Sequence, residues 1–256
     1  MALPRIAAQL YTLRDYLKTP ADIAASMTKV AKLGYKAVQT SGLGPIDHAE
    51  LRRICDGEGL EIVATHVGIQ DILEKTEACA EQHHIYGCKH VGIGGLGGDQ
   101  TLEAYRERAR QCTEAAAKLK PHGLTFSYHN HNHELQRYGQ RPGLQIMIEE
   151  SSDDVCFEID TYWIQAGGGD PAQWIGMVSG RCPLLHYKDM AVIGREQKFA
   201  PVGEGNLNWE AINAAAKEAN AEFVIVEQDR CEIEPTDPFE ALGLSLRNMQ
   251  AMGLPL

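Results

Sequence analysis

The sequence predicts an α/β chain closed into a single-domain (β/α)8 barrel. Three observations predict it. Short apolar runs alternate with helical patterns from one end of the chain to the other, which implies a parallel sheet. Eight such units share 256 residues, roughly 32 apiece, which is enough for one crossover each and for closure into a barrel. The segment after the first strand, Gln9-Leu10-Tyr11-Thr12-Leu13-Arg14, lacks the phosphate-binding glycine loop expected of an open doubly wound sheet.

The elements follow in order. Residues 6–11 are the first strand. Thr19-Pro20-Ala21-Asp22 opens a helix: Thr19 is an N-cap, Pro20 suits the first helical position and Asp22 complements the positive helix end. Gly34 ends it as a C-terminal cap. The second strand is expected over 35–38, and Asp47-His48-Ala49-Glu50 starts the next helix with capping-box spacing. Gly59 closes that unit. Residues 61–66 are the third strand, with a helix through residue 86; residues 89–93 are the fourth, with a helix over 102–119. The fifth strand spans 124–129 with a short helix over 144–149, and the sixth spans 155–160 with a helix over 171–178. The seventh spans 183–187 with a helix over 209–219, and the eighth spans 223–227 with a helix over 238–252. No linker divides the chain, so residues 1–256 read as one domain.

Composition narrows the function. A hydrophobic content of 44% and a charged content of 23% are ordinary for a globular chain. The net charge of −11 argues against nucleic acid or an anionic membrane as partner, because phosphate binding needs a basic face. Seven scattered cysteines without a CxxC pair read as reduced, buried thiols and hence a cytoplasmic protein. The first residues carry no secretory pattern, and no run of apolar residues is long enough to span a bilayer.

Four strands of the second half each finish in metal-type side chains: Tyr128-His129, Ile159-Asp160, Leu185-His186 and Val226-Glu227. Barrel active sites lie at the C-terminal strand ends, so these groups are expected to converge on a divalent cation. Asp160 shares a strand face with Glu158 under the two-residue period; its alternative role is to cap the next turn. His186 shares a face with Lys188, whose ammonium is placed to stabilise a developing oxyanion or else to pair with Asp189. Glu227 ends a very apolar strand, where a carboxylate is costly unless paired or metal-bound; its alternative partner is Arg230.

Tyr128-His129-Asn130-His131-Asn132-His133-Glu134 is the densest polar cluster. His129 and His131 share a face of the strand end, one to bind the cation and the other to meet substrate. Glu134 is a candidate acid or base one turn later. His66, at the end of the third strand, and Trp163, beyond Asp160, are candidates for substrate binding. The Gly92-to-Gly98 segment lacks the lysine and hydroxyl residue of a P-loop and reads as a tight loop that substrate approaches.

This ordered set of strand ends resembles the xylose isomerase-like TIM barrel superfamily. The most specific matches are Gln9-Leu10-Tyr11-Thr12-Leu13-Arg14-Asp15, His129-Asn130-His131 with Glu134, His186-Tyr187-Lys188-Asp189, Pro201-Val202-Gly203-Glu204-Gly205 with Trp209, and Val226-Glu227-Gln228-Asp229. Together they are similar to the sugar phosphate isomerase/epimerase subgroup. The resemblance implies a TIM barrel binding Mn2+, Mg2+, Co2+ or Zn2+ through an acidic, an acidic, an imidazole and an acidic ligand. Asp160, His186 and Glu227 match the last three; His129 stands where a glutamate is usual, leaving His131 or Glu134 as alternative fifth-strand ligands. The expected substrate is a small sugar or keto-sugar, and assembly into dimers or tetramers is expected by analogy.

The expected activity is isomerisation or epimerisation by proton abstraction beside a carbonyl, through an enediolate. Glu227 is the expected base, with His131 or Glu134 opposite and Lys188 stabilising charge. Loss of the fifth-strand glutamate makes a keto-inositol or keto-glycoside dehydration, a lyase reaction, the alternative. An endonuclease IV-like hydrolase and a non-catalytic sugar-binding barrel are weaker readings. The first is disfavoured by acidity and too few ligands from strands two to four.

Overall fold

A computed structural model describes residues 2–256. In chain order the elements are β1 (Arg5–Gln9), α1 (Pro20–Leu33), β2 (Ala37–Thr40), α2 (His48–Gly57), β3 (Glu61–His66), α3 (Ile69–Glu74), α4 (Thr76–Tyr86), β4 (His90–Ile93), α5 (Leu102–Leu119), β5 (Thr125–His129), β6 (Arg137–Tyr138), β7 (Arg141–Pro142), α6 (Gly143–Glu150), β8 (Val155–Asp160), α7 (Thr161–Ala166), α8 (Pro171–Met177), β9 (Leu184–Tyr187), β10 (Asp189–Ile193), β11 (Glu196–Ala200), α9 (Trp209–Glu218), β12 (Phe223–Val226) and α10 (Pro238–Ala251).

Eight of these strands close a barrel in the order β1-β12-β9-β8-β5-β4-β3-β2, all parallel. The expected α/β class and TIM architecture are therefore present. Local chemistry sets the boundaries. Thr19 and Asp22 form a reciprocal capping box at α1, and Gly34 ends it at φ +113°, a left-handed conformation that glycine adopts without Cβ strain. Asp47 caps α2 by accepting from the Glu50 backbone N–H.

The interior divides by height. Ala7, Ala37, Val63, Ala64, Leu184, Phe223 and Ile225 form an apolar cluster of their own within the strands, separate from the larger core packed between strands and helices. The strand ends above that floor are polar. Burial of both faces accounts for the near-continuous apolar runs that marked the strands.

Several boundaries differ from expectation. Residues 10 and 11 leave the first strand for a 3-10 turn (Leu10–Tyr16), in which Gln9 accepts from the Tyr11 backbone N–H. The helix expected after β3 is two helices that meet at Lys75. The hairpin β10–β11 and helix α7 were not expected at all. Gly194 turns the hairpin at φ +65°. Among the described residues, no helix is long and apolar enough to cross a membrane.

Candidate metal centre

The expected convergence is present at the C-terminal mouth of the barrel. Register places Asp160 beside His186, and Ile225 beside His186, so Glu227 follows one step above. His129 Nε2 lies 3.2 Å from Asp160 Oδ2 and 4.0 Å from Glu227 Oε2. His186 Nδ1 lies 2.9 Å from Glu227 Oε2 and 3.9 Å from Asp160 Oδ2. One ligand atom from each of the four falls within 4.8 Å of the others, and all four residues are buried.

The two oxygens of Asp160 face different ways. Oδ1 accepts the Trp163 backbone N–H at 2.9 Å and caps α7. Oδ2 faces the cluster. Lys188 does not pair with Asp189, and Glu227 does not pair with Arg230. The Lys188 Nζ instead lies 3.0 Å from Asp160 Oδ2, 2.7 Å from Glu227 Oε2 and 2.7 Å from Asp229 Oδ2. Asp189 points to the opposite face, where it accepts backbone N–H groups of Gly203, Gly205 and Leu207 and the Trp209 indole N–H.

A second polar layer lies behind His186. Gln39 Oε1 accepts from Gln9 Nε2 and faces His186 Nε2, both at 2.7 Å. Gln39 Nε2 donates to Glu158 Oε1 at 2.9 Å, and the other Glu158 oxygen pairs with His66. An amide oxygen has no proton to give. His186 Nε2 is therefore the donor, and in the neutral ring Nδ1 turns its lone pair to the carboxylates. That tautomer suits a metal ligand.

Burial and neighbouring charge set the protonation states. Burial, with His186, His66 and Lys188 nearby, holds His129 well below the ordinary histidine value. Burial likewise pushes His131 down to about 3. Both rings are neutral. Burial opposes charge on His186 too, but Glu158 and Glu227 outweigh it and raise the group to about 10. Burial disfavours the Lys188 charge, yet Asp160, Glu227 and Asp229 keep it well above the ordinary lysine value. Burial would raise Glu227, but Lys188 and His186 hold it well below the carboxylate range. Burial raises Asp160 and Asp229.

The donor set fits a divalent cation. Asp160, Glu227 and Asp229 surround the Lys188 ammonium, and Glu158 lies against His186 and His66, so carboxylates outnumber the cationic side chains of the mouth. Two imidazole nitrogens with two carboxylates suit Mn2+, Co2+ or Zn2+ better than the all-oxygen shell of Ca2+.

A cavity of about 220 Å3 opens over the cluster, lined by Tyr11, Ser41, His66, Gly94, His129, His131, Glu227 and Asp229. His66 and His131 thus reach it as expected. The Nδ1 atom of His131 is buried without a hydrogen-bond partner. A Cβ on Gly94 would sit 3.4 Å from His66 Nδ1, so the glycine segment lies beside the cleft as read. Trp163 stands behind the cavity, 5.3 Å from the His131 ring and 5.4 Å from Lys188 Nζ, with its buried Nε1 unpartnered.

Glu134 does not join the cluster. It is fully buried; Oε1 accepts the Tyr128 hydroxyl at 2.7 Å and Oε2 accepts the His131 backbone N–H at 2.9 Å. It sits beneath the fifth-strand end and holds His131. Sequence reasoning gave no role to Gln9, Gln39, Glu158, Tyr11 or Asp229. The strand-face parity of Glu158 with Asp160 was the available signal for one of them.

A family model described as xylose isomerase-like TIM barrel matches residues 27–249. An inosose dehydratase of Geobacillus kaustophilus (strain HTA426) is 22% identical over 243 residues, covering 80% of this chain and 79% of that protein. A sugar phosphate isomerase/epimerase from Parabacteroides distasonis ATCC 8503 superimposes with a TM-score of 0.81 at 23% identity, over 96% of this chain and 98% of that one. A D-allulose 3-epimerase from Methylomonas sp. superimposes with a TM-score of 0.73 at 15% identity, over 98% and 99%. At these identities the structures share the fold.

Proposed function

The chain belongs to the xylose isomerase-like TIM barrel family, and we propose that it is a divalent-metal-dependent isomerase or epimerase of a sugar or keto-sugar. One observation carries the reading. His129, Asp160, His186 and Glu227 bring four ligand atoms within 4.8 Å at the barrel mouth, beneath a cavity of sugar size. These four residues would hold the cation. When bound, a divalent cation supplies Lewis-acid polarisation of a carbonyl and its neighbouring hydroxyl.

The chain's own groups do the rest. Glu227 lines the cavity and removes the proton beside the carbonyl. Lys188, held as an ammonium, stabilises the negative oxygen that develops. His131, a neutral imidazole that lines the same cavity, serves as the second proton-exchanging group. His66, fixed from behind by Glu158, hydrogen-bonds substrate hydroxyls. Trp163 forms an apolar wall. The buried floor of the mouth limits water at the reacting carbon.

A dehydratase is the second reading, favoured by His129 where relatives in the resemblance carry a glutamate and by the likeness to an inosose dehydratase. It shares the first step and differs in the fate of a β-hydroxyl. The test incubates Mn2+-loaded protein with ketoses and keto-inositols in D2O. Deuterium beside the carbonyl with an epimeric or isomeric product supports the main reading. Loss of water supports the second. Absence of both exchange and turnover across the panel overturns proton abstraction altogether.

A further inference from the structure

The ammonium of Lys188 and the ligand atoms of the cluster compete for the same oxygens. Nζ contacts Asp160 Oδ2 at 3.0 Å and Glu227 Oε2 at 2.7 Å. Those are the two oxygens that face His129 Nε2 and His186 Nδ1. A divalent cation drawing on both oxygens would share them with a like charge already within hydrogen-bond reach of each. At such separations repulsion between cations is large even in a polar interior. The lysine therefore needs another place to rest.

Asp229 supplies it. Its Oδ2 lies 2.7 Å from Nζ, and it belongs to none of the four ligand positions. Its backbone is fixed: Arg14 Nη2 donates to the Asp229 carbonyl at 2.7 Å, and the Gln228 backbone N–H donates to Thr12 Oγ1 at 3.0 Å. Arg14 is itself held over the Tyr11 ring. The carboxylate is thus carried on a loop tied to the neighbouring segment after β1, and it lines the cavity. An ammonium drawn toward it moves away from Asp160 and stays beside the substrate's oxygens.

Resting on the metal-dependent reading above, we propose that Asp229 is the positioning residue that holds the Lys188 ammonium off the cation site, and so sets the affinity of the cluster for a divalent ion. Asp229 also adds its own charge to the local field. The two effects separate because only the first requires Lys188.

The experiment measures Mn2+ affinity by titration calorimetry on the intact protein, its Asp229→Asn and Lys188→Met variants, and the double variant. Asp229→Asn is expected to weaken binding about tenfold or more when Lys188 is present. In the Lys188→Met background the same substitution is expected to cost threefold or less. Equal losses in both backgrounds, or none in either, overturn the role of Asp229 while leaving metal dependence intact. Failure of the unaltered protein to bind Mn2+ overturns both. Should Lys188→Met not fold, a crystal structure of the Mn2+-loaded unaltered protein decides. Nζ bonded to Asp229 and out of reach of Asp160 Oδ2 is expected; Nζ still bonded to both Asp160 and Glu227 overturns it.

Discussion

The two halves of the barrel mouth differ in charge. Toward their C-terminal ends β1, β2 and β3 present Gln9, Gln39 and His66, and β4 leads into a glycine-rich turn, whereas β5, β8, β9 and the residue after β12 present His129, Asp160, His186 and Glu227. Gln9 and Gln39 are as buried as the four charged-half residues, so burial alone does not explain the contrast. The charged half is where the proposed cation would sit. The neutral half supplies amide donors and acceptors that aim His186, and it lines part of the cavity. A charge on the neutral side would add to the negative excess without adding a ligand.

The hardest test of this division is Glu227→Gln. It keeps the shape and removes the charge that would both bind the ion and take the proton. Turnover is expected to fall about a thousandfold, with Mn2+ content measured alongside to separate loss of ion from loss of base. Full activity in the variant would remove the charged half from the chemistry.

Gln39→Leu probes the neutral half. It leaves His186 Nε2, Glu158 Oε1 and Gln9 Nε2 each one partner short in a dry interior. A destabilisation of about 1–3 kcal/mol is expected, read by urea unfolding. An unchanged midpoint would mean that the second layer does not aim the imidazole.

A third test contrasts the two imidazoles. Without the cation, His186 keeps its proton to about pH 10, while His129 has none to lose near neutrality. A metal on His186 Nδ1 must displace that proton. Mn2+ affinity should therefore rise with pH from neutral toward 10, by at most about tenfold per unit, with proton release traced to His186 and none to His129. Metal-free stability runs the other way. The raised His186 value contributes stability below its ordinary 6.5, and that contribution is lost as pH climbs through 10. Affinity that ignores pH across this window would refute His186 as a ligand.

The sequence exposed the charged half far better than the neutral one. His129, Asp160, His186 and Glu227 each interrupt an apolar strand, and a charge in such a run is conspicuous because burial makes it costly. Gln39 and Gln9 carry no such cost, and their partners lie across the barrel, where only register reveals them. Lys188 shows the same limit. Its sequence neighbour Asp189 is on the other strand face, so its three real partners come from β8 and the segment following β12. The hairpin β10–β11 escaped because its outer strand, Glu196-Gln197-Lys198, is polar and half exposed. Glu134 looked catalytic because it follows three histidines; its burial under Tyr128 is a packing fact with no local signature.

The smallest expected effect lies at the rim of the charged half, at Trp163. Its ring stands between His131 and Lys188, and its Nε1 is buried without a partner. A buried donor left unpaired costs free energy that a substrate oxygen would recover. Trp163→Phe keeps an aromatic wall and deletes that donor. A rise in KM of about two- to tenfold is expected, with little change in kcat or in thermal stability. If KM holds while stability falls, Trp163 belongs with Tyr162 to the packing of α7 against Phe199, and sugar recognition rests on His66 and the glycine turn alone.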